Sequence, residues 1–214
     1  MATIFVTGGT GYMGSRLVPE LLDRGYKVRA LVRRGSEGKL PPGSESVVGD
    51  ALDGSTYAES VNGCSGFVHL VGVAHPSPAK GKQFREIDLV AARSAIAAAM
   101  QGSIEHFVYL SVAHPAPMMK TYIEARSQAE QMLRESGMNA TILRPWYVLG
   151  PGHRWPYALI PFYWLFRKIP ATRVGAERLG LVTLGQMTHA LVRAVESPAP
   201  GVRILDVPAI RDPK

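Results

Sequence analysis

The run Thr3-Ile-Phe-Val-Thr-Gly-Gly-Thr-Gly-Tyr-Met-Gly14 constrains this chain more than any other stretch. Ile4 to Val6 form the short apolar run that a buried strand needs, and it stops abruptly at glycines. Beyond them Tyr12, Leu17, Val18, Leu21 and Leu22 fall near a 3.6-residue period, which predicts a helix. A strand, a glycine turn and a helix in that order give meaning to the G-x-G-x-x-G spacing of Gly9, Gly11 and Gly14, with Gly8, Gly11 and Gly14 as a looser variant. Each glycine has a physical task there: a sharp turn, a backbone that touches a pyrophosphate, and close packing of helix on strand. The helix N-terminus adds N–H groups and partial positive charge that suit phosphates. A tight structural turn is the rival reading. The place of the turn between strand and helix favours dinucleotide binding.

After this helix Gly25 occupies a C-terminal cap position, and residues 27–32 read as a second strand. It runs into Arg33 and Arg34, about twenty residues past the glycine turn, where the adenosine ribose is read. A carboxylate there would bond a free 2′-hydroxyl and repel a 2′-phosphate. Arginine does the reverse, so NADP is favoured over NAD, against the plainer reading of a solvated strand end. Residues 46–48 predict a third strand followed by Gly49, Asp50 and Ala51. Asp50 stands on the ligand side of an open α/β sheet, or else serves as a loop or capping residue; Asp53 is the better cap for a helix over 55–61. Residues 66–71 read as a central buried strand closed by Gly72, which leaves room for a cofactor, and His69 reads as a core or edge residue. Helices over 83–100 and 119–135 alternate with strands over 106–110 and 139–143. Alternation without hairpins specifies an α/β doubly wound parallel sheet, a Rossmann fold, with right-handed crossovers.

Taken together, Thr7-Gly-Gly-Thr-Gly-Tyr-Met-Gly14, Val28-Arg-Ala-Leu-Val-Arg33, Gly49-Asp50, Tyr122, Ala129-Glu130 and Thr141-Ile-Leu-Arg-Pro145 resemble the short-chain dehydrogenase/reductase superfamily. The resemblance is to its extended or atypical side, with epimerase-like and NmrA-like members, and spans about residues 3 to 150. It implies that Gly8, Thr10, Gly11, Tyr12 and Met13 hold the pyrophosphate and that Asp50 and Ala51 approach the adenine. Leu70, Val71 and Gly72 would line the cofactor's ribose, and Pro145 would meet the nicotinamide end. The superfamily's catalytic pattern is a Ser or Thr after the fifth strand, then Tyr-x-x-x-Lys on the next helix. Residues four apart share a helix face. The lysine's charge lowers the phenol's pKa, and the tyrosine exchanges a proton with the substrate oxygen. Here Tyr122 is in place, but position 126 is arginine, which supplies charge and cannot relay a proton. Ser111 fits the orienting hydroxyl in one register, and Val112 takes that place in the neighbouring one. An ordinary helix-surface pair is the rival reading of Tyr122 and Arg126.

Past Pro145 the pattern changes. Residues 146–154 read as a glycine/proline loop at the substrate mouth, with His153 and Arg154 facing either an anionic substrate group or solvent. The apolar run from Trp155 to Phe166 is too short to span a bilayer. It leaves three readings open: a cap helix, an apolar pocket wall for a hydrophobic or prenyl-like molecule, or a membrane-surface patch from Trp155 to Lys168 with Arg167 meeting anionic lipid. Residues 180–184 predict a strand, 186–196 an amphipathic helix, 202–207 a last strand and 211–214 a polar tail. The expectation is one NAD(P)-binding domain over 1–214, with a small cap on the substrate side at 146–185. Such a cap is too small for a bulky nucleotide sugar.

Composition narrows the function further. A single cysteine, Cys64, excludes an internal disulfide and a multi-cysteine metal site, and no metal is expected. No basic-then-apolar leader opens the sequence, so the expectation is a cytoplasmic protein. The net charge of +7 is scattered, without a Lys/Arg-rich run or a nucleic-acid motif, which argues against nucleic acid as a partner. The alanine-rich helices at 83–100 and 119–135 suit a monomer or a homodimer. The expected function is NADP-dependent oxidoreduction of a small or hydrophobic carbonyl or alcohol. Tyr122 would be the acid/base, Arg126 the ribose and charge partner, and Ser111 the orienting hydroxyl. A non-catalytic NADP(H)-binding redox sensor or assembly factor is the second reading, and an epimerase- or dehydratase-like enzyme with bound cofactor the third.

Overall fold

In the computed structural model, which describes residues 1–151 and 169–211, the central strands of the sheet are buried on both faces and its outer strands are partly exposed. In chain order the elements are β1 (Thr3–Thr7), α1 (Gly14–Asp23), β2 (Lys27–Val32), β3 (Glu45–Val48), α2 (Ala58–Val61) and β4 (Gly66–His69). A π-helical turn (Phe84–Leu89) then runs into α3 (Val90–Gln101), followed by β5 (His106–Leu110), α4 (Lys120–Glu135), β6 (Ala140–Arg144) and β7 (Tyr147–Leu149). The rest is α5 (Pro170–Arg178), β8 (Leu181–Thr183), α6 (Leu184–Glu196), β9 (Val202–Asp206) and α7 (Val207–Arg211). The expectations placed on His153, Arg154 and residues 155–168 lie outside the described residues.

Seven strands pair in parallel in the order β3-β2-β1-β4-β5-β6-β9, which makes the doubly wound sheet expected from the alternation. The chain first winds outward from β1 to β3, then returns to the other side of β1 at β4. Ligands of such sheets bind at that switch point, beyond the C-terminal strand ends. Successive side chains point to opposite faces. Phe5, Phe67 and Phe107 share one face, with ring centroids 5.1 and 5.0 Å apart, and are covered by α2, α3 and α4. Ile4, Val6, Val68 and Val108 fill the other face beneath α1, α6 and α7.

The glycine turn is set by steric contact. Gly8 adopts φ +78°, and a Cβ there would lie 3.0 Å from the Leu70 carbonyl carbon and 3.1 Å from Val71 N. A Cβ at Gly14 would come within 2.2 Å of Gly8 O, so the first turn of α1 can meet the loop only as glycine. Gly11 N donates to Gly8 O at 3.0 Å and closes the turn.

Several local expectations needed correction. The helix over 83–100 carries the π-helical turn, which periodicity does not signal. The loop at 146–154 contains β7, which pairs in parallel with β8 from Tyr147↔Leu181 to Leu149↔Thr183; three residues are too few to show a strand period. The tail beginning at Arg211 ends α7 instead, and Arg211 Nε donates to Leu181 O at 2.7 Å. Among the described residues no helix is long and apolar enough to cross a membrane.

Two histidines lie in the core. His69 shares a 2.8 Å hydrogen bond with Thr7 Oγ1, and His106 one of 3.1 Å with Thr141 Oγ1. Burial, then the charge of Arg126, pushes the His69 pKa down to about 3. Burial, then Arg203, brings that of His106 to about 4. An unfolded histidine takes up its proton near 6.5, so between about 6.5 and 4 the unfolded chain binds more protons and stability falls as pH falls. The urea midpoint at pH 5 should therefore lie below that at pH 7; equal midpoints would rule out two neutral core histidines. Gly14→Ala should lower the thermal midpoint and cost at least about 2 kcal/mol, read by urea denaturation, because the added methyl meets backbone and not a movable side chain.

Candidate cofactor crevice and active site

The crevice begins where α1 starts. Met13 caps this helix without a side-chain hydrogen bond, and its first turn holds no acidic residue. An uncapped N-terminus beside a glycine turn is a ready site for an anion. The cradle that a Cβ at Gly8 or Gly14 would fill therefore fits a dinucleotide's pyrophosphate. Thr10 and Met13 are half-buried and Gly11 is exposed at its rim. Tyr12 reaches across to the end of β7: a Cβ on Gly150 would sit 2.2 Å from its hydroxyl oxygen, so Gly150 gives Tyr12 its place.

Along the sheet, Arg33 and Arg34 lie exposed where β2 ends. Gly49 N donates to Val32 O at 3.0 Å, which brings Asp50 and Ala51 alongside. The Asp50 carboxylate accepts from Leu52 N at 2.9 Å, and Asp50 N donates to Thr56 Oγ1 at 3.0 Å, so its side chain shapes its own turn. Asp53 accepts from Ser55 N, as expected of a cap.

On the other side of β1, Leu70, Val71 and Gly72 follow β4 and pass over a buried ion pair. A Cβ on Gly72 would lie 2.2 Å from Arg126 Nη2 and 2.9 Å from Asp88 Oδ1, so the glycine makes room for the protein's own guanidinium. Arg126 Nη2 donates to Asp88 Oδ1 at 2.5 Å and to Val71 O at 3.3 Å. Its Nη1 donates to Leu110 O at 2.8 Å and Tyr109 Oη at 3.4 Å. The guanidinium carbon stands 5.3 Å from the Tyr122 ring centroid, within cation–π range. Burial alone would lower the Arg126 pKa, yet Tyr122, Tyr109 and Asp88 together raise it well above its ordinary value. Burial raises the Asp88 carboxyl above its ordinary value against the pull of Arg126 and the Val73 N–H; beside a guanidinium that never loses its proton, the ionised carboxylate completes the pair.

The structure thus brings Tyr122 and Arg126 together and draws Ser111 elsewhere. Ser111 is 3% exposed, and its hydroxyl donates to Glu130 Oε1 at 2.6 Å. Glu130 also pairs with Arg144, with Arg134 at 3.3 Å, and with His114 at 3.4 Å. Burial raises its carboxyl, but the bonds from Arg144 and Ser111 and the charges around it win and hold it below the usual range. Val112 is buried. Pro145 O accepts from Ala113 N at 2.9 Å and joins the ends of β5 and β6. Sequence reasoning missed Asp88, Gly150 and the bonds of Glu130. A carboxylate next to Ile87, on the apolar side of a helix, was the available signal for Asp88. A cavity of about 220 Å³ lined by Ile4, Tyr26, Gly66 and His106 opens at the opposite, N-terminal ends of the strands and is no part of this crevice.

Comparison with known proteins adds the family. Residues 8–154 match the family described as NAD(P)H-binding. The chain is 27% identical over 168 residues to 4-hydroxy-2-methyl-3-oxo-4-farnesyl-3,4-dihydroquinoline-1-oxide ketoreductase of Stigmatella aurantiaca, covering 68% of this chain and 50% of that protein. It is 28% identical over 151 residues to ceramide reductase of Caulobacter vibrioides, covering 70% and 47%. The chain therefore spans about half the length of these curated relatives. The Bordetella bronchiseptica enzyme WbmH, solved in complex with NAD+, superposes with a TM-score of 0.72 at 21% identity over 96% of this chain and 75% of that one, a likeness of fold. The glycine turn, the parallel sheet wound about it and the match over 8–154 place this chain in the NAD(P)H-binding family.

Proposed function

We propose that the chain binds NADP(H) across the ends of β1 and β4 and reduces a hydrophobic carbonyl compound, with Tyr122 as the proton donor. The observation that carries this reading is the Tyr122 ring held against the Arg126 guanidinium beside Val71 and Gly72. Two relatives named as reductases, of a farnesyl-bearing quinoline oxide and of ceramide, support an apolar substrate. In the proposed site the backbone from Gly8 to Met13 takes the pyrophosphate, and Arg33 with Arg34 the 2′-phosphate. Asp50 and Ala51 flank the adenine, Leu70 to Gly72 the ribose, and Pro145 the nicotinamide end. The bound nicotinamide supplies the hydride. Tyr122 Oη passes its proton to the substrate oxygen.

The terminal N–H groups of Arg126 are spent on Asp88, Val71, Leu110 and Tyr109, so Arg126 contributes support from below and not a bond to ribose. Ser111 enters as a partner of Glu130. Those same commitments favour the second reading, a cofactor-binding sensor without turnover. We place one NAD(P)-binding domain over 1–214, capped by residues 146–185, in a monomer or homodimer.

Tyr122→Phe should reduce NADPH-dependent turnover of long-chain ketones and quinones by about 10²- to 10⁴-fold, with NADPH affinity retained by fluorescence titration. Wild-type protein that binds NADPH and oxidises it with no member of such a panel would move the assignment to the sensor. Arg33→Ala should weaken NADPH binding about 10- to 100-fold and leave NADH binding nearly unchanged. Equal losses for both would remove Arg33 as the reader of the 2′-phosphate.

A further inference from the structure

The proposed chemistry leaves the buried Asp88 without a role. Asp88 is fully buried on the π-helical turn Phe84–Leu89, a position where an unpaired carboxylate would be very costly. The same turn sets Phe84 against the Tyr122 ring, centroids 4.8 Å apart, and Asp88 against Arg126. Both Asp88 oxygens also lie 3.2–3.3 Å from Val73 N, which donates to the carboxylate. Through Arg126 the pair reaches Val71 O and Leu110 O, so one ion pair holds the segment after β4, the end of β5 and the first turns of α4. π-Helical turns within helices occur often at functional sites.

The groups around Tyr122 and its guanidinium can be counted. Arg126 lies one turn along Tyr122's own helix, and Asp88 comes from the π-helical turn. Tyr109 comes from β5, its pKa pushed up to about 12 by burial against the opposing pull of Arg126. His69 of β4 stacks on Tyr109 at 5.8 Å and is neutral. Of these four groups Arg126 and Asp88 carry charge at neutral pH, and the two charges cancel. A lysine at position 126 without a carboxylate partner would leave a bare cation there.

We propose that Asp88 is a positioning residue of this crevice: it cancels the charge of Arg126 beneath Tyr122 and holds residues 71–73 where the cofactor lies. The proposal rests on the reading above for the role of Tyr122. A phenol over a neutral pair keeps its proton better than one over an unbalanced guanidinium, which suits a group that donates a proton during reduction.

Asp88→Asn keeps the side chain's shape and an acceptor for Val73 N while leaving Arg126 unbalanced. The readout is the ultraviolet tyrosinate band followed through a pH titration, with Tyr122→Phe in each background to identify the Tyr122 step. The step should move to lower pH by about one to two units in Asp88→Asn, and the alkaline limb of kcat/KM should move with it. Adding Arg126→Gln to Asp88→Asn should return the step to its wild-type pH. If Asp88→Asn does not fold, Arg126→Gln alone decides from the other side, since an unbalanced Asp88 carboxylate should move the step upward. A Tyr122 step that stays in place in the folded variants overturns the proposal, even where stability falls. Absence of turnover in the wild type would overturn the reductase reading, and the absorbance titration would still decide the role of Asp88.

Discussion

The structure depends on one close approach: the first turn of α1 lies against the loop after β1 with no space for a methyl group at Gly14. That contact brings the helix N-terminus to the C-terminal ends of the central strands and aims its partial positive charge across the switch point between β1 and β4. Gly8, in the left-handed region and pressed on Leu70, fixes the same loop to the next strand. A crevice with one electropositive wall and a backbone floor follows from these contacts before any catalytic side chain is considered.

The floor is held by buried charge. Asp88–Arg126 and Glu130–Arg144 both clamp α4 onto the ends of neighbouring strands, each with further bonds to backbone or hydroxyl groups. Such pairs add little net stability against an apolar alternative, but losing one partner strands a charge and costs about 3–5 kcal/mol. Their value lies in geometry. They place Tyr122, Val71 and Gly72 within one small volume and give each a single arrangement.

These clamps also define how the chain departs from the Tyr-x-x-x-Lys pattern. Arginine in place of lysine brings a wider, planar head, and the protein accommodates it with a glycine above at Gly72 and a carboxylate beside it at Asp88. Ser111, drawn into the Glu130 cluster, no longer offers its proton outward. The glycine turn is built by close backbone packing, and Tyr122 stands over a buried ion pair.

The order of strands and helices was legible in the amino acids because it rests on local physics. Apolar runs stop at Gly8 and Gly72, Gly25 caps a helix, and helical periodicity marks α1 and α6. The glycine turn was legible for the same reason, since a glycine spacing is a statement about backbone room. The π-helical turn, the β7–β8 pair, the contact of Tyr12 with Gly150, and the partners of Ser111 and Arg126 were not. The partners lie far apart in the chain, Arg126 with Asp88 38 residues away and Ser111 with Glu130 19 away. The sequence by itself determined the winding of the sheet and the place of the glycine turn at its switch point. Tertiary structure decided the charge beneath Tyr122, because the sum of a guanidinium and a carboxylate depends on their distance, and only folding brings them to 2.5 Å.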